Sequence, residues 1–106
     1  MASELTRRII EMIRSIPEGS ILSYGEVALL AGHPRGRGGA REVVRVLARC
    51  SERENLPWWR VVRKDGSIAL GEGQGRELQI ALLAREGITV NSRGVVERSC
   101  FSPSSS

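Results

Sequence analysis

The sequence predicts an α+β, mainly helical fold: a winged helix-turn-helix-like domain with small β-hairpins. Two observations predict it. Between Ser23 and Cys50 a short helical stretch, a basic Gly/Pro turn and a second helical stretch with an arginine stripe follow one another. Such an order makes the second helix the reader of a helix-turn-helix. Downstream, β-branched runs flank an Asp65-Gly66 turn and an Asn91-Ser92-Arg93-Gly94 turn, a pattern that reads as hairpins. The 106 residues suffice for one domain. It is expected over residues 1–98, with a polar, disordered tail at 99–106.

Each element has a local reason. Ser3 caps a first helix running to about Ser15, in which Leu5, Ile9, Met12, Ile13 and Ile16 recur at helical spacing. Pro17-Glu18-Gly19-Ser20 stops it, and Ile21 to Tyr24 is a short extended piece. Ser23 then opens a second helix, with Glu26 where a capping box wants it, and Gly32 ends it. His33 to Gly39 is a flexible basic turn. The third helix runs from Ala40 to Cys50, with Val43, Val44, Val46 and Leu47 as its packing surface. Arg41, Arg45 and Arg49 share another face at four-residue intervals. Val61-Val62 and Ser67 to Leu70 read as the two strands of a hairpin. Gly71 to Gly75 is a loose loop. A fourth helix covers Arg76 to Glu86, with Leu78, Ala81 and Leu82, and Ile80 beside them, toward the core, and Gly87 stops it.

Composition narrows the function classes. The net charge is +4, and Lys64 is the only lysine among 16 Lys and Arg. This balance favours polyanions, most simply nucleic acid. A genome rich in arginine codons gives the same bias, so the clustering of charge matters more than the total. The lone histidine, His33, and the two separated cysteines, Cys50 and Cys100, cannot supply a zinc site. No metal and no cofactor are implied. No secretory or long apolar segment stands out, which predicts a cytoplasmic protein with free thiols and no membrane partner.

The least ordinary stretch is Leu56-Pro57-Trp58-Trp59-Arg60-Val61-Val62, which holds both tryptophans. Pro57 fixes its own φ and extends the residue before it, so Trp58 is held at a rigid entry. Together with Ser23-Tyr24-Gly25-Glu26-Val27, Ala31-Gly32-His33-Pro34, Arg41, Asp65-Gly66 and Leu82-Leu83-Ala84-Arg85-Glu86-Gly87, this stretch resembles the DNA-binding domain of O6-alkylguanine-DNA alkyltransferases, from Ile16 to about Val96. The resemblance implies that Trp58 stands where the enzymes carry the alkyl-accepting cysteine, and Trp59 where they carry the activating histidine. Glu86 keeps the position of the glutamate. Within this family the chain is similar to the alkyltransferase-like proteins, which carry Trp in the cysteine position. Their activity is to bind alkylated guanine without removing the alkyl group and to flag it for nucleotide excision repair. Trp59 departs from them as well, since they usually retain the histidine.

An indole has neither a nucleophile nor a titrating proton, so Trp58 and Trp59 cannot perform alkyl transfer, which needs an activated thiolate. The chain is therefore expected not to be an enzyme. The resemblance implies roles for the remaining residues. Tyr24 presses on the DNA backbone and helps rotate the nucleotide out; otherwise it packs at a helix start. Arg41, beside the small Gly39 and Ala40, fills the gap left by the flipped base through the minor groove. Arg35, Arg37, Arg45 and Arg49 contact phosphates, and Arg60 binds phosphate or braces the hairpin. The lesion pocket is expected to draw on Tyr24, Pro57, Trp58, Val61, Ile68 and Gly71. Trp58 either walls that pocket or plugs a dead site, while Trp59 is structural. Gly71 falls where some relatives place an arginine that senses guanine O6. The expected partners are double-stranded DNA containing O6-alkylguanine and nucleotide-excision-repair proteins, with the chain a monomer. The competing reading is a sequence-specific winged-helix transcriptional regulator. A residual enzyme using Cys50 ranks last.

Overall fold

The computed structural model describes residues 3–70 and 75–96. The expected loop at 71–74, with Gly71, and the expected tail at 99–106, with Cys100, lie outside the described residues.

Helix α1 spans Glu4–Arg14, and the Ser3 hydroxyl accepts the Thr6 N–H at 3.1 Å, which satisfies one of the free donors of the first turn. Ile9, Ile10 and Ile13 make its buried stripe. After a turn at Gly19 (φ +85°), strand β1, Leu22–Ser23, leads directly into helix α2, Tyr24–Leu30. The capping box expected there is complete. Ser23 Oγ accepts the Glu26 N–H and Glu26 Oε1 accepts the Ser23 N–H, both at 3.1 Å. This fixes Tyr24 as the first residue of α2.

The basic turn is more ordered than expected. It closes as a 3₁₀ turn over Gly36–Gly39, and His33 Nδ1 accepts the Arg35 N–H at 3.0 Å. Helix α3, Ala40–Cys50, follows without a break. Val43, Val46 and Cys50 form its buried stripe. Val44, expected in the packing surface, is 47% exposed because it points a quarter-turn away from that stripe.

Beyond α3, Pro57 precedes a 3₁₀ turn over Trp58–Arg60 that feeds strand β2, Val61–Val62. The expected hairpin from Val61 to Leu70 does not form. Strand β2 instead pairs in parallel with β1, Leu22 opposite Val61 and Ser23 opposite Val62. Arg63 to Ser67 is a tight turn in which the Arg63 N–H donates to the Ser67 carbonyl at 3.0 Å. Ser67 then bridges antiparallel to Val95. Burial explains the choice. Val61 and Val62 are both fully buried, one on each side of the β1–β2 pair, so a strand with two apolar faces takes a central place.

Helix α4, Arg76–Arg85, also turns differently from the expectation. Gln79 and Leu83 are its buried residues, whereas Leu78 is 56% exposed and Ala81 is exposed. Ile80 and Leu82 are half-buried. Gln79 holds a core position because its amide has work there. Nε2 donates to the carbonyls of Trp59 at 3.2 Å and Val61 at 3.3 Å. Gly87 (φ +82°) ends the helix region. The hairpin expected at 88–96 is present, with a Val90–Val96 bridge closed by the Asn91 N–H donating to the Val95 carbonyl at 2.9 Å.

The core has two halves that meet at the β1–β2 pair. One joins α1, α2 and α3 through residues such as Ile13, Val27, Val43 and Val61. The other gathers Ile21, Val62, Ile68, Leu83, Ile88 and Val96 under α4. Among the described residues no helix is long and apolar enough to cross a membrane.

Candidate nucleic-acid interface

An apolar cleft of about 330 Å³ opens between α3 and α4. Val44, Leu47, Ala48 and Ser51 form one wall, and their spacing of three and four places them on one face of α3. Leu78 and Gln79 of α4, with Leu70 and Gly75, form the facing wall. Tyr24 and Trp58 complete the lining. Val44 and Leu78, two large apolar side chains left exposed by the core, therefore look into this space. Among the described residues the lining contains no cysteine and no histidine.

Trp58 is held by its neighbours. The Trp58 N–H donates to the Leu56 carbonyl at 2.8 Å, and the Arg60 N–H to the Pro57 carbonyl at 3.1 Å. Its ring meets Trp59 edge-on, with centroids 6.0 Å apart and planes at 86°, a favoured aromatic geometry. Trp59 turns away from the cleft and packs against the α4 half of the core. Its Nε1 donates to Glu86 Oε2 at 2.8 Å.

Glu86 is a hub. Besides the indole, it accepts from Arg60 Nη2 at 2.6 Å, from Arg60 Nε at 3.0 Å and from the Gly19 N–H at 3.0 Å. Arg60 Nη1 also donates to the Ile16 carbonyl at 2.8 Å. The Arg60 and Glu86 side chains are only 14% and 7% exposed. Burial pushes the Glu86 carboxyl up, but the bonds from Arg60, Gly19 and Trp59, with the Arg60 charge, hold it below the usual carboxylate range. Of the two roles expected for Arg60, phosphate contact or brace, the geometry has that of a brace. Its guanidinium is committed to Glu86 and Ile16 and braces the tryptophan turn against the α1–β1 connection.

A second cleft, about 870 Å³ and open, lies on the other side of Tyr24. Ser23, Gly25, Arg37, Gly38, Ala40, Arg63, Lys64 and Asp65 line it with Tyr24. Tyr24 belongs to both linings. Burial raises its hydroxyl pKa, and the Arg63 cation nearby pulls the other way. Gly25 lets the basic turn close on α2, because a Cβ there would stand 3.3 Å from the Arg37 Cβ.

Of the residues expected at the interface, Tyr24 and Trp58 thus meet at the apolar cleft, and Arg37 and Ala40 meet Tyr24 at the basic one. Arg35, Arg41 and Arg45 are exposed, the last two on α3. Val61 and Ile68 are not cleft residues: at 0% and 4% exposure they belong to the core. Pro57 is buried behind the tryptophan turn, and Gly71 lies outside the described residues. Sequence reasoning passed over Val44, Leu78, Arg63 and Lys64. An apolar Val44 lying off the buried stripe of α3 became a signal only once that stripe was known. Arg63-Lys64 was visible as a dibasic pair entering a turn.

The model of the 6-O-methylguanine DNA methyltransferase DNA-binding domain matches residues 4–88. The chain belongs to this family. Within the 6-O-methylguanine DNA methyltransferase family it is similar to the DNA base-flipping protein of Escherichia coli, 42% identical over 86% of this chain and 67% of that protein. The DNA base-flipping protein of Vibrio parahaemolyticus is 38% identical over 84% of this chain and 85% of its own length. A crystal structure of the Schizosaccharomyces pombe alkyltransferase-like protein in complex with damaged DNA containing O6-carboxymethylguanine superposes with a TM-score of 0.72, at 28% identity, over 92% of this chain and 91% of that one. The fold is accordingly the helix-turn-helix-like one of that family, and the chain is alkyltransferase-like. Methylated-DNA–protein-cysteine methyltransferases are also similar, one from Methanothermobacter thermautotrophicus at 37% identity over 86% of this chain and 48% of that protein. Trp58 lines the apolar cleft of this chain.

Proposed function

We propose that this chain recognises O6-alkylguanine in double-stranded DNA by minor-groove contact and nucleotide flipping, leaves the alkyl group in place, and channels the lesion to nucleotide excision repair. One observation carries the reading: the Trp58 indole lines an open apolar cleft, and the resemblance implies that this residue takes the place of the enzymes' reactive thiol. A cleft of this kind accepts a flipped purine and its alkyl group, and aromatic stacking contributes about 1–3 kcal/mol per base. Among the described residues the lining offers only the Tyr24 and Ser51 hydroxyls as oxygen nucleophiles, and it holds no histidine, carboxylate or lysine beside them. The exposed Arg41 near the start of α3, next to Ala40, suits a side chain that enters the minor groove and fills the vacated stack. Damage in any sequence context demands such backbone and minor-groove contacts more than base readout.

The test is a paired titration. A duplex with one O6-methylguanine should bind at least about tenfold more tightly than the matched plain duplex, a difference of 1.4 kcal/mol. Mass spectrometry after incubation should find the methyl group still on the DNA. Equal affinity for the two duplexes rejects damage recognition, and a methylated protein rejects the non-enzymatic role. Faster incision of the lesion duplex by reconstituted excision-repair proteins in the presence of the chain tests the handover.

A further inference from the structure

The basic cleft beside Tyr24 has no role in the reading above, and Arg63 and Lys64 have none in any expectation. From its lining we infer that Arg37, Arg63 and Lys64 form a clamp for a backbone phosphate of the flipped nucleotide. The inference rests on the proposed function and deepens it.

Three features support the clamp. The first is charge. Arg37 reaches the cleft from the 3₁₀ turn, and Arg63 and Lys64 reach it from the turn after β2. All three side chains belong to exposed residues, so their donors face solvent and are available to an anion. Among the described residues Asp65 is the one acid in the lining, and its carboxylate is already engaged. Oδ1 accepts the Ser67 hydroxyl at 2.6 Å and the Ser67 N–H at 3.0 Å, which also hold it below the usual carboxylate range. Three cations face one occupied carboxylate, and the site suits an anion.

The second feature is backbone approach. Gly25 and Gly38 line the cleft with no side chain, and Ala40 with only a methyl, so a bulky strand can come close to the protein main chain. The third is adjacency. Tyr24 is the shared wall of the basic and apolar clefts. A single nucleotide can straddle it, with its base against Trp58 and its phosphate against Arg63. A nucleotide still stacked in the duplex cannot occupy both. The clamp therefore acts on the extruded state and adds to the preference for damage, unlike ordinary phosphate tracking.

The experiment uses the full chain, the O6-methylguanine duplex and the matched plain duplex, titrated at several salt concentrations. The double variant R63A/K64A is compared with wild type and with R85A/R93A, which removes the same charge from exposed residues outside both clefts. Circular dichroism and thermal unfolding verify that each variant keeps the fold. R63A/K64A should weaken lesion binding about tenfold or more, lower the salt slope by about 1 for the one phosphate no longer neutralised, and shrink the lesion-to-plain ratio. The fluorescence of 2-aminopurine at the lesion position should report less extrusion. R63K, which keeps the charge of one member, should recover part of the loss. If wild type does not prefer the lesion duplex, the functional reading fails and takes the clamp with it. If wild type prefers the lesion but R63A/K64A keeps the same ratio and extrusion signal, the clamp alone is overturned. A loss equal on both duplexes, or matched by R85A/R93A, overturns it too.

Discussion

At the scale of single residues, the arrangement turns on Glu86. In the family's enzymes the corresponding glutamate serves an activating histidine, as the resemblance implies. Here an indole and a guanidinium share it. The consequence for stability has a definite sign. The folded carboxyl sits below its ordinary value, so the unfolded chain takes up the proton first as pH falls. The contribution is fully present above the unfolded value of about 4.3 and is lost as pH drops through the folded one. Glu86→Gln should therefore cost about 3–5 kcal/mol near pH 7, because it leaves a largely buried guanidinium without its counter-charge. Its stability should also fall less steeply than wild type in acid. Urea unfolding across pH 7 to pH 3 measures both. The residue scale is also where the sequence was least legible. Nothing local distinguishes Arg60, a brace 14% exposed in its side chain, from Arg63, which lies exposed at a cleft edge. The pairing of Arg60 with Glu86 joins residues 26 positions apart in the sequence.

At the scale of elements, legibility followed the reach of the forces. Helices α1, α2 and α3 were readable because their caps and stripes are made by residues within a turn or two of one another. Strand β2 was not, because its partner β1 lies far back in the chain and a β-branched pair beside a turn does not announce which strand it will join. Helix α4 was legible in its span but not in the face it buries. Apolar residues surround it instead of lining one face, since Leu78 serves a cleft and Gln79 serves two carbonyls. The junction of the basic turn with α3 offers the element-scale prediction. His33 stacks so closely on Gly39 that a Cβ there would collide with its ring carbons. Gly39→Ala should cost about 1–3 kcal/mol through overpacking. Adding His33→Ala should recover much of the loss. Denaturant midpoints of the two variants check this, and lesion binding should fall with the first and return with the second, since Ala40 and Arg41 begin where Gly39 ends.

At the scale of the whole molecule, the two halves of the core meet at a two-stranded pair, and the clefts open on either side of the tyrosine that follows it. The charge total alone pointed to polyanions, and the arrangement sets Arg37 of the basic turn and Arg63 and Lys64 of the turn after β2 around one of these openings. The sequence pattern could place the tryptophan but not the volume beside it, because that volume depends on which faces of α3 and α4 the core leaves uncovered. Cys50 carries the last prediction. Its thiol is 5% exposed, packed among core residues at the end of α3, with Arg53 Nη2 at 3.6 Å from the sulfur. In a Cys100→Ser background, reaction with a thiol reagent should be slow in buffer. It should quicken in urea in step with global unfolding, since a core group reacts only when the chain opens. Reaction at the same rate under both conditions would contradict the burial. The same burial sets Cys50 beyond the reach of small electrophiles for as long as the chain stays folded, so alkylation of that sulfur should wait on unfolding.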